Sequence, residues 1–123
     1  MGNSHATITI LEKGHEEILA NQIDSDTYEV VQSSILLPKV TYGTTIKALK
    51  SEGKLIFNKI IKRSPYKTYS TTIPKSLITS EKLERIKKEI VEKGGQWEQL
   101  FSGLMIFHLP KNVNYNPIKI LNE

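Results

Sequence analysis

Residues 80–95 read SEKLERIKKEIVEKGG, and this stretch contains the strongest helical pattern in the chain. Its larger apolar side chains recur every three or four residues, so they share one face of a helix over 81–93. These residues are Leu83, Ile86, Ile90 and Val91. Ser80 can accept a hydrogen bond from the first turn, and Gly94 can adopt the left-handed conformation that ends many helices. The stretch therefore predicts an amphipathic helix that begins after the capping residue Ser80 and ends before Gly94.

The segments on either side of this helix predict strands and one more short helix. The Tyr- and Thr-rich residues 67–73 precede the helix and favour an extended strand. Residues 96–101 and 104–109 follow it as two arms of a hairpin joined by a Ser102–Gly103 turn. Pro117 lies where the first position of a helix tolerates proline, so we expect a short terminal helix.

The first half of the chain predicts strands alone. Apolar and hydroxyl residues alternate over 6–11, which is the pattern of a half-buried strand, and residues 24–26 form the turn of a hairpin. Residues 44–49 and 54–63 predict a second hairpin around a short connection that contains Gly53. The predicted class is α+β: a β-rich N-terminal half, as a small twisted sheet or partial barrel, followed by strand, helix, hairpin and a short C-terminal helix.

Length and composition describe one globular unit. The chain has 123 residues, of which 38% are hydrophobic and 24% charged, a balance typical of a folded domain. We therefore expect residues 1–123 to form a single domain. The absence of cysteine excludes disulfides and thiol catalysis. Because the sequence has no signal-peptide pattern and no apolar run near the roughly 20 residues that span a bilayer, we expect a cytoplasmic protein without membrane contact.

Charge is distributed unevenly along the chain. Residues 1–38 contain six acidic residues and one basic residue, whereas residues 39–75 contain nine basic residues and one acidic residue. A basic block of this size attracts phosphates or an acidic protein surface. The alternative is a solvated strand face whose lysines keep a sheet edge from pairing with other chains.

Within this block, cations and aromatic residues interleave around Pro65. The residues are Lys59, Lys62, Arg63, Tyr66, Lys67 and Tyr69. Lysine and arginine neutralise phosphates while aromatic rings stack on bases, and tyrosine and arginine also dominate protein interfaces. These six are therefore the candidate partner-binding residues, for a protein or a nucleic acid. Chance placement on a basic strand is the alternative.

Catalytic and metal-binding patterns are missing from the sequence. His5 and His15 are far from His108, and none of the three has the spacing of a metal-ligand pair. We expect His15 in a surface turn and His108 as a partnered core residue. Aromatic residues expected in the core are Trp97, Phe101 and Phe107. The sequence therefore predicts no catalytic residue, no metal, no cofactor and no enzymatic activity.

Three strings carry a resemblance to a known family. They are EEILANQIDSDTYEVVQSSILLPKVTYGTTIKA at 16–48, KLIFNKIIKRSPYKTYSTTI at 54–73 and LMIFHLPKNVNYNPIKILNE at 104–123. In these strings the chain resembles a bacterial family known as domain of unknown function 4265. Glu17 and Ala20 match that family's opening, and the last string matches its ending of apolar strand, proline, Val-x-Tyr-x-Pro and short helix. Members often carry Gly-Asp where this chain has Gly43-Thr44.

The resemblance implies a shared fold and a bacterial setting, and it implies no particular reaction. The small size, the missing catalytic patterns and the bacterial setting of the resembled family lead to one hypothesis. It is that the protein is a non-catalytic binding protein, specifically an immunity protein that sequesters and neutralises a cognate bacterial toxin. The alternative is a nucleic-acid-binding domain that uses the basic 39–75 segment.

Overall fold

The computed structural model describes residues 5–101 and 103–123. The chain divides into two compact units, Met1–Pro65 and Tyr66–Glu123. Strands alone in the first unit and strands with helices in the second confirm the predicted α+β class. The single domain expected for residues 1–123 stays a prediction, which an unfolding experiment can test.

The N-terminal unit is a closed barrel of five strands. In chain order they are β1 (Ala6–Ile10), β2 (Glu16–Gln22), β3 (Thr27–Val30), β4 (Thr45–Ser51) and β5 (Lys54–Lys62). Each strand is antiparallel to the next, and β1 runs parallel to β5 to close the barrel. The half predicted as a small sheet or partial barrel is therefore a closed one, which covers the apolar face of every strand.

Alternate residues of the strands fill the barrel. Ile8 and Ile10 on β1 face the same interior as Ile46 and Ala48 on β4, and all four are buried. This period of two is what places Lys47, between two buried neighbours on β4, toward the outside.

A tight turn joins β4 to β5 and confirms the second predicted hairpin. Ser51 pairs with Lys54, so the turn contains only Glu52 and Gly53, with φ angles of 50° and 82°. Two positive φ angles in a two-residue connection define the type I′ turn, whose twist matches the flanking strands. Glu52 is therefore a non-glycine residue held in a left-handed conformation.

The irregular segment between β3 and β4 is anchored by one carboxylate. Glu16 accepts hydrogen bonds from the Ser34 hydroxyl at 2.6 Å and from the backbone amides of Ile35 and Leu36 at 2.8 and 3.2 Å. This segment thus has a defined conformation without regular secondary structure.

The C-terminal unit packs helices on a three-stranded sheet. Its elements are β6 (Tyr66–Thr72), α1 (Lys75–Ile78), α2 (Glu81–Glu92), β7 (Gln96–Leu100), β8 (Leu104–Pro110) and α3 (Pro117–Leu121). The strand order is β6-β8-β7, with β8 antiparallel to both neighbours. Among the described helices, none has both the length and the apolar composition needed to cross a membrane.

Helix α2 has the ends that its sequence predicts. The Ser80 hydroxyl accepts a hydrogen bond from the amide of Leu83 at 3.2 Å. Gly94 has a φ angle of 87°, and the amide of Gly95 donates to the Ile90 carbonyl at 2.9 Å, which is the pattern of a Schellman motif. Of the four apolar residues predicted for the buried face, three are buried, whereas Val91 is 51% exposed.

The prediction of three core aromatic residues is correct for Phe107 alone. Phe107 is fully buried, whereas Trp97 is 37% exposed and Phe101 is 82% exposed. Phe101 follows β7 in the hairpin loop with a φ angle of 52°, and its side chain lies mostly in solvent. Trp97 lies beneath the Lys87 ammonium, whose Nζ is 4.3 Å from the ring centre. Ser102, half of the predicted turn, lies outside the described residues.

Candidate partner-binding site

The six candidate partner-binding residues are divided between the two units. Lys59 and Lys62 belong to β5 and Arg63 follows it, all in the N-terminal unit. The other three lie on β6 in the C-terminal unit; they are Tyr66, Lys67 and Tyr69.

The β6 residues contribute mainly to the interior of the C-terminal unit. Lys67 donates through Nζ to the backbone carbonyl of Val113 at 2.9 Å. Tyr69 packs against the core formed by α2 and β8, and Tyr66 is half-buried. Because Lys67 and Tyr69 already have structural contacts, they are poorly placed to meet a partner.

The β5 residues remain open to solvent. Lys59, Lys62 and Arg63 are exposed, and within residues 5–101 and 103–123 none of them has a partner for an ion pair or a side-chain hydrogen bond. Lys59 lies directly opposite Lys47 in the ladder between β5 and β4. Like charges at directly opposed positions of two strands destabilise a sheet. An anionic partner would remove that repulsion.

Lys47 is the residue that sequence reasoning missed. Two irregularities shift the β4–β5 register, one between Thr45 and Ile46 and one between Lys47 and Ala48. The second passes over Asn58, so Lys47 meets Lys59 where an uninterrupted hairpin would pair it with Asn58. The only signal in the sequence is the position of Lys47 in the opposing arm of the predicted hairpin.

The β4–β5 hairpin and Arg63 together form a strongly basic surface, called here the basic hairpin. Residues 45–63 contain six cations and one acidic residue. The cations are Lys47, Lys50, Lys54, Lys59, Lys62 and Arg63. Leu49 and Ile61 on the same two strands are 40% and 50% exposed. The surface therefore combines positive charge with accessible apolar groups.

Two clefts border this hairpin within the N-terminal unit. The first has a volume of about 460 Å³ and lies where β1 and β5 separate, between Thr9 and Leu11 on one side and Ile56 and Asn58 on the other. The second has a volume of about 380 Å³; its lining includes Glu12, Lys13, Leu37, Lys39 and Ile60. Phe57 lines both clefts. Each is large enough to take side chains of a partner.

His108 is a structural residue of the C-terminal unit. Its side chain is fully buried, with Nδ1 3.0 Å from the Thr68 hydroxyl and Nε2 2.7 Å from a Glu98 carboxylate oxygen. The Glu98 carboxylate accepts a hydrogen bond from Nε2–H, and in the neutral imidazole Nδ1 then accepts one from the Thr68 hydroxyl. The core histidine with hydrogen-bond partners predicted from the sequence is confirmed. Across residues 5–101 and 103–123, no cluster of three acidic or histidine side chains could hold a metal ion.

A second polar contact beneath α2 involves Tyr115, which donates to Glu89 at 2.5 Å. Burial, together with the hydrogen bond to the glutamate and its negative charge, raises the pKa of Tyr115 above its ordinary value. The phenol therefore stays protonated and holds the segment before α3 against the helix.

Comparison with known proteins places the chain in a family. Residues 16–123 match the family described as Domain of unknown function (DUF4265). The chain belongs to this family. A solved structure, described as "Novel crystal structure of a hypothetical protein from Neisseria gonorrhoeae", is similar to it with a TM-score of 0.69 and 17% identity. That match covers 99% of this chain and 87% of the other, and it shows a shared fold. No curated protein matches the chain significantly.

In this DUF4265 protein, Thr44 stands where the resemblance leads us to expect an aspartate. The Thr44 hydroxyl accepts a hydrogen bond from the amide of Thr41 at 3.1 Å, and the residue is fully buried. Gly43 before it has a φ angle of 90°, which favours glycine. A carboxylate could accept the same bond, so the structure gives position 44 a role in closing this turn.

Proposed function

We propose that this protein is a non-catalytic binding protein whose basic hairpin captures an acidic surface of a partner protein. In its specific form, the proposal is an immunity protein that sequesters and neutralises a cognate bacterial toxin. The observation that carries it is the opposed pair Lys47 and Lys59, neither of which forms an ion pair with any of the described residues.

The opposed pair destabilises the free protein. Two like charges directly opposite each other destabilise a sheet relative to a neutral pair. The repulsion disappears when a carboxylate of a partner lies between the two ammonium groups. Complementary charge of this kind accelerates encounter and selects against wrong partners.

The apolar groups beside the cations favour a protein over a nucleic acid. Leu49 and Ile61 are accessible next to the lysines, and Arg63 is of the residue type found most often at interface hot spots. Non-specific binding of single-stranded nucleic acid uses exposed aromatic rings beside cations. Of the two tyrosines predicted for that role, Tyr69 packs against the C-terminal core.

The test is a comparative capture experiment in a bacterial host lysate after exhaustive nuclease treatment. The bait is the tagged wild-type chain, the double variant Lys47→Glu/Lys59→Glu or the control Lys111→Glu/Lys119→Glu, which reverses two exposed lysines of the C-terminal unit. We expect one stoichiometric protein with the wild type and the control, and at least a roughly tenfold smaller yield with the hairpin variant.

Two results would contradict the proposal. Equal capture by all three baits would show that the basic hairpin is not the binding surface. Capture that occurs in a parallel untreated lysate but is lost after nuclease treatment would support the nucleic-acid alternative. If the protein has an immunity role, we also expect the captured protein to arrest bacterial growth when it is expressed without this chain.

A further inference from the structure

The barrel is closed along a very short seam. β5 pairs with β4 from Lys54 to Lys62, but on its other side it pairs with β1 only at Leu55 and Ile56. Beyond this point β1 ends at Ile10 and the chain turns away into β2. One edge of β5 therefore continues past the seam without a neighbouring strand.

This open edge consists of residues 57–62. Within residues 5–101 and 103–123, no strand is paired with this side of the segment, and none of its backbone groups takes part in a loop or turn hydrogen bond. Six residues of extended chain measure about 20 Å, which is the length of an ordinary strand. Unpaired backbone donors and acceptors along a strand edge are a template for an added strand.

The two clefts provide room on either side of the open edge. The first cleft borders Phe57 and Asn58, and the second borders Phe57 and Ile60. Successive side chains of an added strand point to opposite faces of a sheet. A peptide paired with the open edge could therefore place alternate side chains in different clefts.

The charges around the open edge select the occupant. Lys59 and Lys62 lie on it, Arg63 follows it, and Lys13 and Lys39 line the second cleft. Two acidic residues line the clefts: Glu52 lies in the first cleft and Glu12 in the second. A strand from a second copy, paired through the same edge, would bring lysines against lysines. An acidic segment meets opposite charge instead.

We infer that the partner is held by strand addition: an extended, acidic segment of the partner protein pairs with residues 57–62 of β5 and places alternate side chains in the two clefts. This inference rests on the proposed capture of an acidic partner and specifies how the contact is made. Main-chain hydrogen bonds contribute affinity in such complexes, and the side-chain clefts contribute specificity. The same lysines disfavour uncontrolled edge pairing in the free protein.

The test uses two synthetic peptides of about seven residues with capped ends, the length of an ordinary strand. The first alternates glutamate and valine, and the second has the same sequence with every backbone amide N-methylated. Both have the same charge and side chains, but only the first can donate backbone hydrogen bonds. Binding is measured by titration calorimetry, and amide hydrogen exchange is followed by NMR.

We expect the unmethylated peptide to bind at least tenfold more tightly than its methylated counterpart. It should also slow exchange of amides within residues 57–62 at least tenfold. Lys59→Glu should weaken this binding, whereas Lys111→Glu should leave it unchanged. Together these results would support strand addition by an acidic segment.

Other outcomes would overturn the inference and distinguish it from the proposed function. If both peptides bind equally and Lys59→Glu weakens both, charge alone holds the partner; strand addition is then wrong while capture by the basic hairpin stands. If neither peptide binds, or protection appears only when the chain self-associates, an acidic strand is not the occupant. The proposed function itself fails only in the capture experiment with the double variant.

Discussion

The lysines of the two units have different surroundings. In the C-terminal unit, Lys67 donates to a backbone carbonyl, and Lys87 contacts Glu84, Gln99 and the Trp97 ring. In the N-terminal unit, Lys47 and Lys59 face each other across two strands without such a contact. The first group of cations supports the fold, and the second is the group that we propose binds a partner.

The two units also differ in what holds them together. The C-terminal unit depends on a helix whose end is closely packed, since a Cβ at Gly95 would lie 2.1 Å from the His108 carbonyl oxygen. The N-terminal unit depends on the loop that Glu16 anchors and on its tight turns. In the turn between β4 and β5, a Cβ added at Gly53 would have no atom within 4 Å. This contrast can be tested by matched substitutions.

The largest expected effect is that of Gly95→Ala. Because the new methyl group collides with backbone that cannot move freely, we expect the free energy of unfolding to fall by about 3 kcal/mol. Gly53→Ala, which meets open space but retains a positive φ angle, should cost about 1 kcal/mol. Urea unfolding followed by far-UV circular dichroism and by the fluorescence of the single tryptophan, Trp97, measures both.

Equal losses for the two glycine variants would contradict the difference in packing. The same curves test the single domain predicted for the chain. Coincident transitions by both signals would support one cooperative unit, and separate transitions would show that the two units unfold independently.

The second largest effect is expected when the Glu16 carboxylate is removed. This substitution tests whether the stability of the barrel depends on the hydrogen bonds that hold the segment between β3 and β4. Glu16→Ala leaves one hydroxyl and two amide donors without their acceptor, so we expect a loss of about 2–3 kcal/mol. Glu17→Ala is the matched control, since the exposed Glu17 carboxylate lies 3.9 Å from His15 Nε2 at the protein surface; the expected change is below about 0.5 kcal/mol. Thermal and urea unfolding report the difference, and similar values for both variants would refute the anchoring role.

The smallest effect is an expected gain. Glu52 has a φ angle of 50°, a conformation that asparagine adopts more readily, and Asn-Gly is the preferred pair for this turn. Glu52→Asn should therefore raise the free energy of unfolding by about 0.5–1 kcal/mol. Ser51→Asn, in the adjacent strand position, should give no gain. A neutral or destabilising result for Glu52→Asn would mean that the glutamate makes a compensating contribution in this turn.

The correct predictions share a local origin. The caps of α2 and its apolar spacing lie within residues 80–95, so sequence neighbours are sufficient to define the helix. The turn at Gly53 is equally local. Val91 was predicted wrongly because periodicity gives the direction of a helical face but not the width of the surface that covers it.

The candidate site was only partly predictable because its contacts are distant in sequence. Lys67 was selected for its neighbours Tyr66 and Tyr69, yet its hydrogen-bond acceptor is Val113. Lys47 was not selected, since its position opposite Lys59 depends on irregularities in β5 that no local pattern shows. Charge indicated the region in which we propose the site, and strand pairing decided which of its cations lie opposite each other.

The sequence by itself determined the α+β class, the helix, the hairpins and the basic block, because each of these follows from residues that are close together along the chain. Only the tertiary structure decided that β1 meets β5 at two residue pairs and leaves residues 57–62 with an open edge. The physical reason is that the closure joins strands more than forty residues apart, and its length depends on how both strands twist and diverge. Such a relation is a property of the packed barrel.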